Sequence, residues 1–273
     1  MLKMWLAVLA VLIGLGLSHA AEIQSPLPSD KRWEQARKDL AQGRAAEAKS
    51  AFEELLKEYP NAADLHLFLG MAQLRLRDPQ AAVIAAKRAI VLEPAHIEAR
   101  TFLAWVELEV RGDADAAIKE YQSVIELRPD LPEAYTNLAA AQKRRGSLQD
   151  AIASLNKALE LNGKFGTALN NRGWIYAEQE KWPEARRDFE AALSIDSQDQ
   201  GALQGMALVL EKERNYAEAQ RILARLNAGS PNFVYWLNWG RIGLIRYWWI
   251  LLSVAIALAL GARFKKARTQ AHG

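Results

Sequence analysis

Apolar positions along most of this chain fall three and four residues apart with polar residues between them, a pattern that predicts amphipathic helices rather than strands. The pattern also repeats. Ala48, Ala82, Ala117, Ala151, Ala185 and Ala219 stand 34, 35, 34, 34 and 34 residues apart. Four residues after each come Phe52, Ala86, Tyr121, Leu155, Phe189 and Leu223, and seven after come Leu55, Ala89, Val124, Ala158, Ala192 and Leu226. Offsets of 0, 4 and 7 mark one apolar helix face. Twelve residues after each alanine stand Pro60, Pro94, Pro129, Gly163, Ser197 and Pro231. Proline stops a helix and glycine or serine loosens one, so every unit is expected to close at the same place.

Upstream lies a second set of small residues, Ala36, Gly70, Ala104, Ala139, Gly173 and Ala207, preceded by Gln35, Leu69, Leu103, Leu138, Arg172 and Met206. Each unit therefore holds two helices with a small residue on each inner face, which lets the two backbones approach. A bulky residue there would cost about 1–3 kcal/mol in strain. The third unit has one extra residue. A period near 34 built from helix pairs predicts an all-α solenoid, since one pair cannot bury its apolar face alone.

These offsets resemble the tetratricopeptide repeat family over residues 29–233, most clearly in the segments Pro132 to Phe165 and Gly166 to Asp199. The resemblance implies a right-handed superhelix of about six helix-turn-helix units, near 29–62, 63–96, 97–131, 132–165, 166–199 and 200–233. The first unit departs from the family pattern at Gln35 and Asp39, and the last lacks an aromatic residue four after Ala219. Both read as end units with one side facing water. Arg172 is the oddest departure, a charge at a normally apolar position.

The two ends change the picture. Residues 1–20 begin with Lys3, continue through an apolar run from Met4 to Leu17 and finish on Ser18-His19-Ala20, the form of a secretory signal peptide cleaved before Ala21. Fourteen apolar residues reach only about 21 Å as a helix, short of a bilayer core of roughly 30 Å, although an uncleaved anchor is a second reading. A linker follows at 21–28. At the other end, 234–241 is a juxtamembrane segment with Tyr235, Trp236 and Trp239, and 242–262 form a 21-residue, largely apolar segment long enough for a C-terminal transmembrane helix, with Arg246 near enough to its start to snorkel to the headgroups. Trp236, Trp239, Tyr247, Trp248 and Trp249 crowd its start as an interfacial belt would. A buried helix capping the solenoid is the alternative. The tail 263–273 carries Arg263, Lys265, Lys266 and Arg268, and short basic flanks stay in the cytoplasm. The ends together predict a single-pass protein of the bacterial inner membrane, with its repeats in the periplasm and its tail in the cytoplasm. A tail-anchored cytosolic solenoid would leave residues 1–20 unexplained.

Charge narrows the partners. Of 35 basic and 32 acidic residues, seven basic and no acidic ones lie outside residues 22–240, which leaves the repeats at a net −4. A mildly acidic solenoid is poorly suited to a phosphate backbone, so nucleic acid is not expected as a partner. Cysteine is absent, which excludes disulfides, a cysteine nucleophile and a lipidated N-terminal cysteine. His66 and His96 are 30 residues apart with no metal-ligand spacing, and neither a phosphate-cradling glycine loop nor a nucleophile elbow is present. No enzyme, cofactor or metal is expected.

What remains is a binding surface. In the family resembled, the first helix of each unit lines the concave face, and an asparagine one residue before the conserved leucine often grips the backbone of an extended peptide. Asn137 and Asn171 match that place, while Phe68, Phe102 and Gly205 occupy it in other units. A side-chain amide both donates and accepts, matching a peptide group. Trp105 and Trp174 lie three residues further on, and Lys143 and Arg144 would join them in an aromatic and basic groove. Both tryptophans are equally compatible with packing between helices. The expected function is a membrane-anchored scaffold or adaptor in a bacterial envelope complex. Its rivals are a self-associating structural platform and a glycan-binding component of a polysaccharide export apparatus.

Overall fold

The computed structural model describes residues 30–229 and 237–243. The chain is all-helical over these residues and forms two compact units, divided between Gly163 and Lys164. The first unit holds α1 (Lys31–Ala41), α2 (Ala45–Glu58), α3 (Ala63–Arg75), α4 (Pro79–Leu92), α5 (Ile97–Trp105), a π-helical turn (Val106–Arg111), α6 (Ala114–Leu127), α7 (Pro132–Arg145) and α8 (Leu148–Leu161). The second holds α9 (Gly166–Glu178), α10 (Trp182–Ile195), α11 (Gln200–Lys212), α12 (Tyr216–Gly229) and α13, described over 237–243. Helices α1 to α12 form six successive pairs. The segments read as signal peptide, linker and basic tail lie outside the described residues, as does all of the apolar segment 242–262 beyond Gly243. Among the described residues, no helix is long and apolar enough to cross a membrane.

The helix boundaries follow from local chemistry. Helices α2, α4 and α6 end two residues before Pro60, Pro94 and Pro129, where the missing backbone donor forbids another turn. Asp30, Asp78, Asp113 and Asp199 cap the starts of α1, α4, α6 and α11, each accepting from a first-turn backbone N–H. A left-handed residue also recurs in the short connection inside each pair: Gly43, Arg77, Gly112, Glu180 and Arg214, with Gly146 in the fourth pair. Only three of the six are glycines. The other three carry a Cβ in a conformation that L-residues adopt at a cost.

The repeating alanines are the floor of this packing. Each of the six is 0% exposed, pressed where the two helices of a pair meet. Gly70 shows why the companion positions are small, because a Cβ there would lie 3.1 Å from the Ala82 carbonyl oxygen and 3.2 Å from the Phe102 ring. In the first unit the core runs as a strip, from Trp33, Leu40 and Phe52 through Leu67, Phe102 and Val106 to Leu108, Tyr121 and Leu138. The departures at Gln35 and Asp39 have a direct cause on α1, where Gln35 is exposed. Its amide donates to Asp39 at 2.8 Å, and Arg44 pairs with the same carboxylate and holds its pKa below the usual range.

The extra residue of the third unit is absorbed by the backbone. It falls between Ala104 and Ala117, and the π-helical turn Val106–Arg111 lies in that interval. A π turn spends one more residue per hydrogen bond than an α turn, so the insertion bulges locally and the register beyond it is kept. Gly112 closes it at φ +74°, and Asp113 N–H reaches back to the Glu107 carbonyl at 2.8 Å. The turn carries a buried carboxylate, Glu107, 3% exposed. Arg111 donates to its Oε1 at 2.9 Å and sits as close to Oε2, which the bond angles leave without a hydrogen bond.

Candidate functional site

Of the six residues assigned to a partner groove by sequence, Trp105, Asn137, Lys143 and Arg144 belong to the first unit and Asn171 and Trp174 to the second. In the first unit, Asn137 is half-buried on α7, and its side chain makes no hydrogen bond among the described residues. Its donors and acceptor are unspent. Trp105 closes α5 just before the π turn. It packs against the cluster of Leu67, Phe102 and Val106 and keeps part of its surface in solvent. Half-buried Phe68 and Met71 occupy the corresponding places on α3. Arg144 is exposed and donates to both oxygens of Glu109 at 3.0 and 3.1 Å, so its charge is shared with the π turn. Lys143 beside it is half-buried.

The second unit is built differently. Asn171 is half-buried on α9, again without a side-chain hydrogen bond among the described residues. Trp174 meets the Phe189 ring edge-on at 5.5 Å and 70°, so one of its sides is committed to packing. Phe189 itself occupies a slot between two glycines. A Cβ on Gly173 of α9 would stand 2.7 Å from that ring, and one on Gly205 of α11 would overlap it outright. Gly205 takes the place that Asn137 and Asn171 hold on their helices. In this pair the repeated position is given over to an aromatic ring from the pair before.

Arg172 finds its reason here. Its guanidinium donates to Asp188 of α10 through Nε at 2.8 Å and Nη2 at 2.7 Å, a two-pronged pair with a buried carboxylate. The hydrogen bonds to Asp188 raise the Arg172 pKa against the opposing pull of burial, and the Tyr176 ring lies 5.9 Å away. Sequence reading noticed Arg172 but missed Asp188. The available signal was the residue three after each repeating alanine. At that offset, Glu120 accepts from Arg100 at 2.7 Å and buried Ser154 donates to Gln142 at 2.7 Å, so polar residues there are matched on the first helix of their pair.

One further cluster escaped sequence reading. His96, buried ahead of α5, has Nδ1 3.2 Å from Glu98 and Nε2 3.2 Å from Asp64 on α3, the second an ionic contact poorly aligned as a hydrogen bond. Burial is the largest single influence on this imidazole and would depress its pKa. The two carboxylates together outweigh it and hold the value up at about 9. His96 is thus a cation that ties α3 to the start of α5. Among the described residues, no group of three or more potential ligand side chains is placed to hold a metal ion.

Helix pairs spaced by 34 residues, with buried alanines at the contact and small residues opposite, agree with the comparisons to known proteins. Models described as tetratricopeptide repeat match residues 34–97, 130–198 and 176–237, and one described as TPR repeat matches 111–146. The chain belongs to the tetratricopeptide repeat family. Tetratricopeptide repeat protein 36 of Xenopus tropicalis is 38% identical over 89 residues, which are 31% of this chain and 44% of that protein. Hsp70-Hsp90 organizing protein 3 of Arabidopsis thaliana is 26% identical over 96 residues, 35% of this chain and 17% of that protein. The chain thus spans less than half the length of these curated relatives. The crystal structure of a tetratricopeptide repeat protein from Parabacteroides merdae shares the fold, with a TM-score of 0.66 at 20% identity over 79% of this chain and 86% of that one. Tetratricopeptide repeat proteins mediate protein–protein interaction and act as scaffolds or adaptors.

Proposed function

We propose that this chain is an exported scaffold of a bacterial envelope complex. On this reading its C-terminal apolar segment holds it in the inner membrane, with the repeats in the periplasm and the basic tail in the cytoplasm. The first helices of its pairs receive an extended segment of a partner protein. The scaffold has no catalytic role and needs no cofactor.

One observation carries the binding assignment. Asn137 and Asn171 are partly exposed amides with unspent hydrogen-bonding capacity, at equivalent places in the two units. A half-buried amide that finds no protein partner is well suited to a peptide backbone, which presents the complementary donor and acceptor. Trp174 supplies apolar surface one helical turn beyond Asn171, and Trp105 holds the same place on α5. The Arg144–Glu109 pair offsets one basic charge beside the site, so Arg144 is not a free cation for an acidic ligand. The membrane assignment rests on the sequence of the two ends.

The test compares wild type with Asn137→Ala/Asn171→Ala in host membranes, using crosslinking followed by mass spectrometry. Equal thermal melting of the two proteins establishes that the variant folds. A set of envelope proteins captured by wild type and lost from the variant is the expected result; identical sets would sink the assignment.

A second reading, the self-associating platform, has one observation in its favour. Ile84 and Val91 are 62% and 68% exposed, seven residues apart on the outer face of α4, a helix without acidic residues. Size measurement of the intact protein in mild detergent, with Ile84→Glu as control, separates the two readings.

A further inference from the structure

The last described helical segment, α13, is fastened to its neighbours. In α13, Ile242 is 1% exposed. Arg241 crosses to α11 and meets both oxygens of Glu211, at 2.6 and 2.8 Å. From α12, the Gln220 amide donates to the Trp239 carbonyl at 3.4 Å. Two large apolar side chains on the same helix stay bare, Leu237 at 47% and Trp239 at 42% exposed. The chain therefore spends a buried isoleucine and a forked ion pair to hold in place a helix that presents leucine and tryptophan to the outside.

The sequence immediately beyond tells what lies there. Only Leu244, Ile245 and Arg246 separate α13 from Tyr247, and Ile250 to Ala262 contains no charge. Even fully extended, the four steps from Gly243 to Tyr247 cover no more than about 14 Å. Because Ile242 is packed in α13, the part of 242–262 left to enter a bilayer begins within the next few residues, and α13 then lies close against the headgroup layer, the zone tryptophan prefers for its apolar body and polar edge. With α13 docked on the repeats, only these few residues separate the last helix pair from the apolar segment.

We propose that α13 is a foot on which the last repeat stands at the membrane surface. Leu237 and Trp239 rest in the headgroup layer of a phospholipid bilayer, and Ile242 with the Arg241–Glu211 pair transmits that contact to the final helix pair. The foot fixes the height and tilt of the second unit over the membrane. This inference rests on the membrane anchoring proposed above.

The absence of cysteine makes the test clean. Asn238→Cys, between the two apolar residues, is labelled with an environment-sensitive nitrobenzoxadiazole probe in the intact chain. The protein is then reconstituted in phosphatidylethanolamine–phosphatidylglycerol vesicles, with Ile84→Cys as the water-exposed reference. The account expects flotation with the vesicles, blue-shifted emission at 238, and quenching by aqueous iodide several-fold weaker at 238 than at 84. Leu237→Ser/Trp239→Ser should still float but lose the protection. Failure to float would overturn anchoring and foot together. Flotation with equal quenching at both sites would overturn the foot alone. Protection at 238 in native membranes but not in pure lipid would also overturn it, by giving the surface to a protein partner.

Discussion

The third and fifth helix pairs both break the repeat, and they break it in different currencies. The third, α5 with α6, departs in length. One extra residue is taken up by the π turn Val106–Arg111, and the alanine contacts on either side keep their places. The fifth, α9 with α10, departs in chemistry. It places a guanidinium where the pattern wants an apolar side chain and answers it with buried Asp188, while Phe189 fills a slot left by two glycines. A helix pair can thus absorb an insertion through its hydrogen-bond register and a polar intrusion through a matched partner. Its small contact residues stay fixed in both cases.

The comparison can be broken most forcefully at Arg172. Arg172→Ala leaves Asp188 buried without its partner and should cost about 3–5 kcal/mol in urea unfolding. Arg172→Leu/Asp188→Leu should recover most of that loss, because removing both charges removes the desolvation penalty. An equally damaged double variant would mean the pair is not the reason for the departure.

The counterpart in the third pair is His96, whose effect depends on pH. Its folded pKa of about 9 stands above the ordinary 6.5, so its stabilisation is fully present below pH 6.5 and is lost as pH rises through 9. The stability gap between wild type and His96→Gln should be up to about 3 kcal/mol at pH 6 and largely closed at pH 10. A gap independent of pH would show that His96 acts through packing alone.

Gly205→Ala is expected to cost about 1–3 kcal/mol, since the new methyl group overlaps the Phe189 ring. Phe189→Leu should relieve it, measured as a double-mutant cycle. Length is tested by deletion. Removing Val110 returns the third pair to the common period, and its melting temperature should stay close to wild type. Removing Tyr176 from α9 rotates everything beyond it by about 100° and should abolish cooperative melting of the second unit. Smallest is Glu180→Gly, which frees a left-handed position and should stabilise by up to about 1 kcal/mol, offset in part by a more flexible unfolded chain.

Much of the fold was legible in the sequence because a repeat states its contacts several times over. The alanines at 48, 82, 117, 151, 185 and 219 identify the helix contacts, and Pro60, Pro94 and Pro129 mark the helix ends. The extra residue of the third unit was countable, yet counting cannot say whether a loop lengthens or a helix bulges; that depends on where the hydrogen bonds can slip. The left-handed positions were half visible, through Gly43, Gly112 and Gly146, and hidden where Arg77, Glu180 and Arg214 adopt the same conformation. Compensating pairs were the least legible. Arg172 and Asp188 are 16 residues apart, and nothing in the spacing alone links an oddity on one helix with an acid on the next. Among the groove residues, Asn137 and Asn171 stood out by position, but the sequence could not foretell that Trp174 would meet Phe189 or that Arg144 would pair with Glu109.

The scaffold reading makes a spatial claim: partners meet the first helices of the pairs, not the outer ones. A photocrosslinking amino acid placed at exposed Ala140 on α7, between Asn137 and Lys143, tests it in the intact protein within its own host. The same probe at Ile84 on the outer face of α4 serves as reference. Discrete adducts with other envelope proteins from position 140, absent from position 84, are predicted. Adducts from 84 but not 140, or a position 140 that captures nothing except a second copy of this chain, would contradict the account.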